Sequence, residues 1–76
     1  MKEKIISILS ELRPEFDFTE SVNFIEEGML DSFDIVNLVD ELETQFDFKI
    51  DGTDVIPENF SSIDSIAAVI EKSKNA

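Results

Sequence analysis

The chain has 76 residues, no cysteine, no histidine, and 18 acidic side chains against 6 basic ones, for a formal net charge of −12. At that length one hydrophobic core is barely sufficient, and without cysteine neither a disulfide framework nor a Cys-ligated metal can supplement it. The same absences exclude Ser-His and Cys-His nucleophile pairs and most zinc sites, and so acidic a surface repels nucleic acid and anionic lipid.

Ile5, Ile8, Leu9 and Leu12 stand at i, i+3, i+4 and i+7, with Ile6 widening the stripe, so the spacing predicts a first helix over 3–12. Pro14 sets its end, because the residue before a proline, here Arg13, avoids helical geometry. Residues 13–31 are then a long connection. Phe16, Phe18, Val22, Phe24 and Ile25 recur through it among acids and small polar residues, which gives it side chains to dock on a core. An ordered crossing loop is expected, with a short helical turn near 19–22. Gly28 supplies backbone angles that other residues avoid where the chain turns into the next element.

Residues 32–46 carry the clearest helical pattern. Ile35, Leu38, Val39, Leu42 and Phe46 fall on one stripe, and Asp34, Asn37, Asp40, Glu41 and Thr44 are assigned mostly to the other, solvent side. Asp31, or Ser32 itself, suits the N-cap, and Asp34 three residues after Asp31 resembles a capping box with Asp in place of Glu. Residues 47–56 read as a loop in which Phe48 and Ile50 point inward and Asp51-Gly52-Thr53-Asp54 makes a turn. Pro57 opens a short helix over 57–61 anchored by Phe60, and Ser61 or Ser62 caps a last helix. Ile63, Ile66, Ala67, Val69 and Ile70 of that helix face the core as far as Lys72. The expected architecture is all-α: a bundle of three long helices and one short one, with a long first loop, in a single domain over 1–76.

No apolar run approaches the ~20 residues of a membrane span, and the first residues lack the basic-then-apolar plan of a signal peptide. A cytoplasmic monomer with no direct membrane insertion is expected. The charge is concentrated: residues 14–71 hold 16 acids and one base, Lys49, for a net of −15. Such a field speeds encounter with basic protein surfaces.

The segment Gly28-Met29-Leu30-Asp31-Ser32-Phe33-Asp34 closes the long loop and opens the apolar helix. Serine is a favoured helix-start residue, so spacing alone asks nothing of Ser32 beyond capping. The position nonetheless has chemical merit. A hydroxyl there stands at the surface at the end of a loop, with backbone N–H groups directed towards any phosphate attached to it.

Phe24-Ile25-Glu26-Glu27-Gly28-Met29-Leu30-Asp31-Ser32-Phe33 is similar to the stretch before and through the modified serine of acyl and aminoacyl carrier proteins. Residues 36–46, 57–60 and 62–70 resemble that family's second, third and fourth helices in order and length. The resemblance implies a four-helix acyl-carrier-like bundle with 4'-phosphopantetheine attached covalently to Ser32, beside Asp31. A separate holo-carrier synthase, a phosphopantetheinyl transferase, would move that arm from coenzyme A, and acyl or aminoacyl cargo would ride on it as a thioester. Ser32 is then an acceptor and not a catalytic nucleophile, and the chain is not an enzyme. The resemblance also implies a partner interface on the second helix: Asp31, Asp34 and Glu43 match acidic recognition positions, Phe33 and Val36 match apolar ones, and Asn37 and Asp40 join them. A loading ligase and downstream transferases with basic surfaces would dock there. Asn37 and Thr44 stand where many fatty-acid carriers have glutamate. Glu-Glu-Gly-Met-Leu-Asp-Ser-Phe is closer to stand-alone aminoacyl carriers, notably D-alanyl carriers of teichoic acid modification, and to discrete carriers of peptide or polyketide assembly, than to the Gly-Ala-Asp-Ser-Leu common in fatty-acid carriers.

Two other readings use the same residues. An acidic helical adaptor or inhibitor would bind a basic protein with no covalent arm, leaving Asp31-Ser32 as a cap alone. Asp47, Asp51, Gly52 and Glu58 match part of an EF-hand loop, but Lys49 stands where an oxygen ligand belongs, Asp54 replaces an apolar residue, Pro57 precedes the final Glu and there is no paired second loop. No metal site is therefore expected beyond loose divalent binding to crowded carboxylates, which would relieve their repulsion.

Overall fold

In a computed structural model that describes residues 1–74, the apolar spacing of the first twelve residues wraps onto one side of helix α1 (Lys2–Leu12). That side buries Ile5, Ile8 and Leu9. Arg13 leaves helical geometry ahead of Pro14 (φ −136°, ψ 78°) while its N–H still donates to Leu9 O at 2.8 Å. Helix α2 (Ser32–Phe46) buries Ile35, Leu38 and Leu42, and helix α3 (Ile63–Lys74) buries Ile66, Val69 and Ile70. Helix α1 packs against both α2 and α3, and the segment around Phe60 closes the remaining side against α2 and α3. Among the described residues there is no strand.

The long connection is held by its own aromatics. Phe18 and Phe24 are fully buried and meet edge to face with ring centroids 5.0 Å apart; burying a phenylalanine stabilises by about 1.5–3 kcal/mol. Phe24 also fixes the backbone. Its N–H donates to Ser61 O at 2.7 Å, and its carbonyl accepts from the N–H groups of Met29 and Leu30 at 2.9 and 3.2 Å. The loop is thus tied to the start of α3 and folded back on itself just before Ser32.

The expected helical turn at 19–22 is not there. Asp17 accepts from the N–H of Thr19, which makes a side-chain-closed turn, and the one helix-like turn lies at 23–28. There the Asn23 carboxamide oxygen accepts from the N–H groups of Ile25 and Glu26, the N–H of Glu27 donates to Asn23 O, and Gly28 ends the turn at φ +73°. The expected short helix at 57–61 is a 3-10 turn (Pro57–Phe60), and Asp51 caps a second one at Gly52–Asp54. Four residues close i→i+3 bonds more readily than a full α turn, so among the described residues the bundle has three α-helices and two 3-10 turns. Ser62 caps α3, its hydroxyl accepting from Ser65 N–H at 3.0 Å.

Candidate functional site

Three features of the chain meet where α2 begins. Asp31 is the N-cap with extended backbone, and its carboxylate accepts from Asp34 N–H at 2.9 Å. Asp34 returns the bond, its Oδ2 accepting from Asp31 N–H at 3.1 Å, so the capping box expected from the sequence is complete. Ser32, the first helical residue, is exposed. Among the described residues its hydroxyl makes no hydrogen bond, and the N–H groups of Ser32 and Phe33 have no acceptor. A phosphodiester on Ser32 fits this arrangement: the acceptor oxygen is accessible, and two backbone donors at the positive end of the helix dipole lie beside it.

Asp34 departs from its expected place on the solvent side: it is 7% exposed. The capping box turns its carboxylate back over the helix start, and the Arg13 guanidinium draws it under the end of α1. Arg13 Nε and Nη2 both lie 2.9 Å from Asp34 Oδ2, Nη1 donates to Glu15 at 3.0 Å, and Nη2 stands 3.7 Å from Asp31 Oδ2. Burial acts to raise the Asp34 carboxyl, but the Arg13 hydrogen bond, the Asp31 N–H and the Arg13 charge outweigh it and hold the carboxyl below its ordinary range. The same contact, with Asp34 first and Glu15 second, pushes the guanidinium up.

The remaining residues singled out on α2 divide between two jobs. Phe33 is 74% and Val36 63% exposed, and with Asp40 they form an outward stripe at i, i+3 and i+7; Asn37 is half-buried at its edge. Glu43 is turned towards the following loop, where its Oε2 accepts from Ile50 N–H at 2.9 Å. Arg13 was legible from the sequence only as a helix stop, although it is the single base between residues 5 and 48. Ile56, an exposed apolar residue just ahead of the second 3-10 turn, was not singled out, because an isolated isoleucine in a loop carries no periodic signal.

The sequence profile of the phosphopantetheine attachment site family matches residues 3–70. The chain belongs to that family. Among its relatives is a D-alanyl carrier protein of Lactococcus lactis subsp. lactis, 31% identical over 77 residues that span 99% of this chain and 98% of the relative. An acyl carrier protein of Thermotoga maritima is 37% identical over 71 residues, 91% of this chain and 85% of its own. The aminoacyl carrier protein 1 of Bradyrhizobium diazoefficiens is 35% identical over 54 residues, 71% and 59% of the two chains. The protein is therefore a carrier, and its prosthetic group is 4'-phosphopantetheine, which when bound supplies the thiol this cysteine-free chain lacks. The adaptor without a covalent arm is not favoured. Carriers of this family work with phosphopantetheinyl transferases and loading ligases and hold cargo without transforming it. Among the described residues no helix is long and apolar enough to cross a membrane.

Proposed function

We propose that residues 1–76 act as a single carrier domain in the cytoplasm, that Ser32 is the attachment residue, and that the cargo is an amino acid. The observation that supports Ser32 is its exposed, unbonded hydroxyl on a helix start whose geometry is fixed by a complete capping box. In attachment the Ser32 oxygen bonds to the pantetheine-side phosphorus of coenzyme A. The bond from that phosphorus to the adenosine 3',5'-bisphosphate part breaks, that part leaves, and the hydroxyl proton passes to a base on the transferase. The chain itself needs no base for this step. Aminoacyl cargo is supported by the D-alanyl and aminoacyl names of two relatives. Phe33, Val36, Asn37 and Asp40, with Asp31 at the helix start, form the surface for the transferase and ligase, while Asp34 and Glu43 hold that surface in shape.

The test is intact-protein mass after incubation with coenzyme A and a broad-specificity phosphopantetheinyl transferase. A gain of one phosphopantetheine in the wild type and none in Ser32→Ala is expected. An equal gain in both would move the attachment residue elsewhere. The loaded form, given D-alanine and a D-alanine-activating ligase, should then gain one alanyl group; acceptance of fatty acids alone would replace the cargo assignment.

A further inference from the structure

We propose that Arg13 is the positioning residue for the acceptor serine, acting through Asp34 and the backbone of Asp31; this rests on the reading of Ser32 as the attachment residue. Arg13 and Asp34 are 21 residues apart, on opposite sides of the long loop. Arg13 Nε donates to Asp34 Oδ2, Nη2 lies 2.9 Å from the same oxygen, and that oxygen also accepts from the N–H of Asp31, the residue before Ser32. A continuous path therefore runs from guanidinium to carboxylate to the backbone that carries the acceptor. Its far end is anchored on α1, where the Arg13 N–H donates to Leu9 O, and the guanidinium also meets Glu15.

Without the guanidinium, the Asp34 carboxylate, on a side chain that is 10% exposed, loses its counter-ion and turns towards water. In turning it releases Asp31 N–H, and half of the capping box is lost. The residue freed is the one that sets the first turn of α2, so the Ser32 hydroxyl samples a wider range of positions. The transfer to Ser32 needs its oxygen in line with the phosphorus under attack, and looseness there is lost from the chemical step. Lysine is a poor substitute. It keeps the charge but offers a compact ammonium in place of a planar fork with converging donors.

The experiment compares the wild-type chain with Arg13→Gln, Arg13→Lys and the double variant Arg13→Gln/Asp34→Asn. Attachment kinetics are measured against carrier concentration at saturating coenzyme A, and amide hydrogen exchange is measured on each unmodified protein. Arg13→Gln should lower kcat about tenfold, with KM changed less than about twofold. Arg13→Lys should recover part of that loss, and the double variant should be no slower than Arg13→Gln, since Arg13 acts through Asp34. The exchange of the Asp31 amide should rise in Arg13→Gln by a larger factor than that of Ile66 and Ile70 in α3, whose buried positions report the loss of overall stability. An unchanged kcat, a loss confined to KM, or a rise in exchange shared equally by Asp31, Ile66 and Ile70 would each overturn the proposal. If the wild type accepts no phosphopantetheine, the reading of Ser32 fails instead, and the Asp31 exchange still decides whether Arg13 holds the helix start.

Discussion

Asp34 is an ionised side chain in a mostly buried place, and its pH response has a definite sign. Its carboxyl ionises at lower pH in the folded chain than in the unfolded one, because Arg13 and the Asp31 N–H favour the charged form by more than burial disfavours it. The charged form therefore stabilises the fold. That contribution is complete above the unfolded value of about 3.9 and disappears as pH falls through the lower, folded value. Asp34→Asn keeps an oxygen for the Asp31 N–H but removes the charge facing Arg13. We expect it to destabilise by about 1–3 kcal/mol at neutral pH, towards the lower end because the guanidinium is partly exposed. Urea midpoints of both proteins from about pH 5 to about pH 2 should converge as the pH falls. A gap that stays constant over that range would mean that Asp34 stabilises through its shape and not its charge.

Helix α2 does separate work with each side. Ile35, Leu38 and Leu42 lie in the core, while Phe33 and Val36 stand mostly in solvent, where they contribute little to packing within the chain. Truncating those two should leave stability within about 0.5 kcal/mol. If they are the apolar anchors of a docking surface, Phe33→Ala should still raise the KM of attachment about tenfold, an anchor being worth about 1–2 kcal/mol. The signature differs from that of Arg13→Gln, where the loss falls on kcat. A Phe33→Ala variant with wild-type KM would remove Phe33 from the interface.

The same helix marks what could be read from the chain before its structure. Its extent, core stripe and capping box follow from 3.6-residue periodicity and a three-residue spacing, which are local rules. The capping box turns Asp34 back, but its burial is completed by a partner 21 residues away, and no local rule reaches that far. The turn placed at 19–22 failed for a related reason. Thr19-Glu20-Ser21 has helix-start chemistry, but Asp17 takes the Thr19 N–H first, and Asn23 organises the turn that does form.

At the scale of the whole molecule the charge becomes a stability term. A net charge of −12 is confined to a body of 32 × 21 × 20 Å. The Debye length is about 30 Å at 0.01 M salt and about 8 Å at 0.15 M, so in dilute buffer each acid feels all the others, and near physiological salt only its neighbours. Salt also weakens the ion pairs, but Lys2–Asp64 is exposed at both ends and Lys72–Asp54 at its lysine, and pairs of that kind are worth at most about 1 kcal/mol each. Relief of repulsion should therefore exceed loss of pairing. The melting temperature should rise with added salt by about 4–8 °C for each kcal/mol of repulsion removed. Magnesium at matched ionic strength should raise it further: among the described residues no carboxylate cluster could hold a metal ion, but a divalent ion gathers loosely around crowded acids and relieves their repulsion more than sodium does. Thermal unfolding in sodium chloride and magnesium chloride series checks both parts. A melting temperature that falls with salt would show that the few ion pairs, Arg13–Asp34 first among them, outweigh the repulsion of the acids around them.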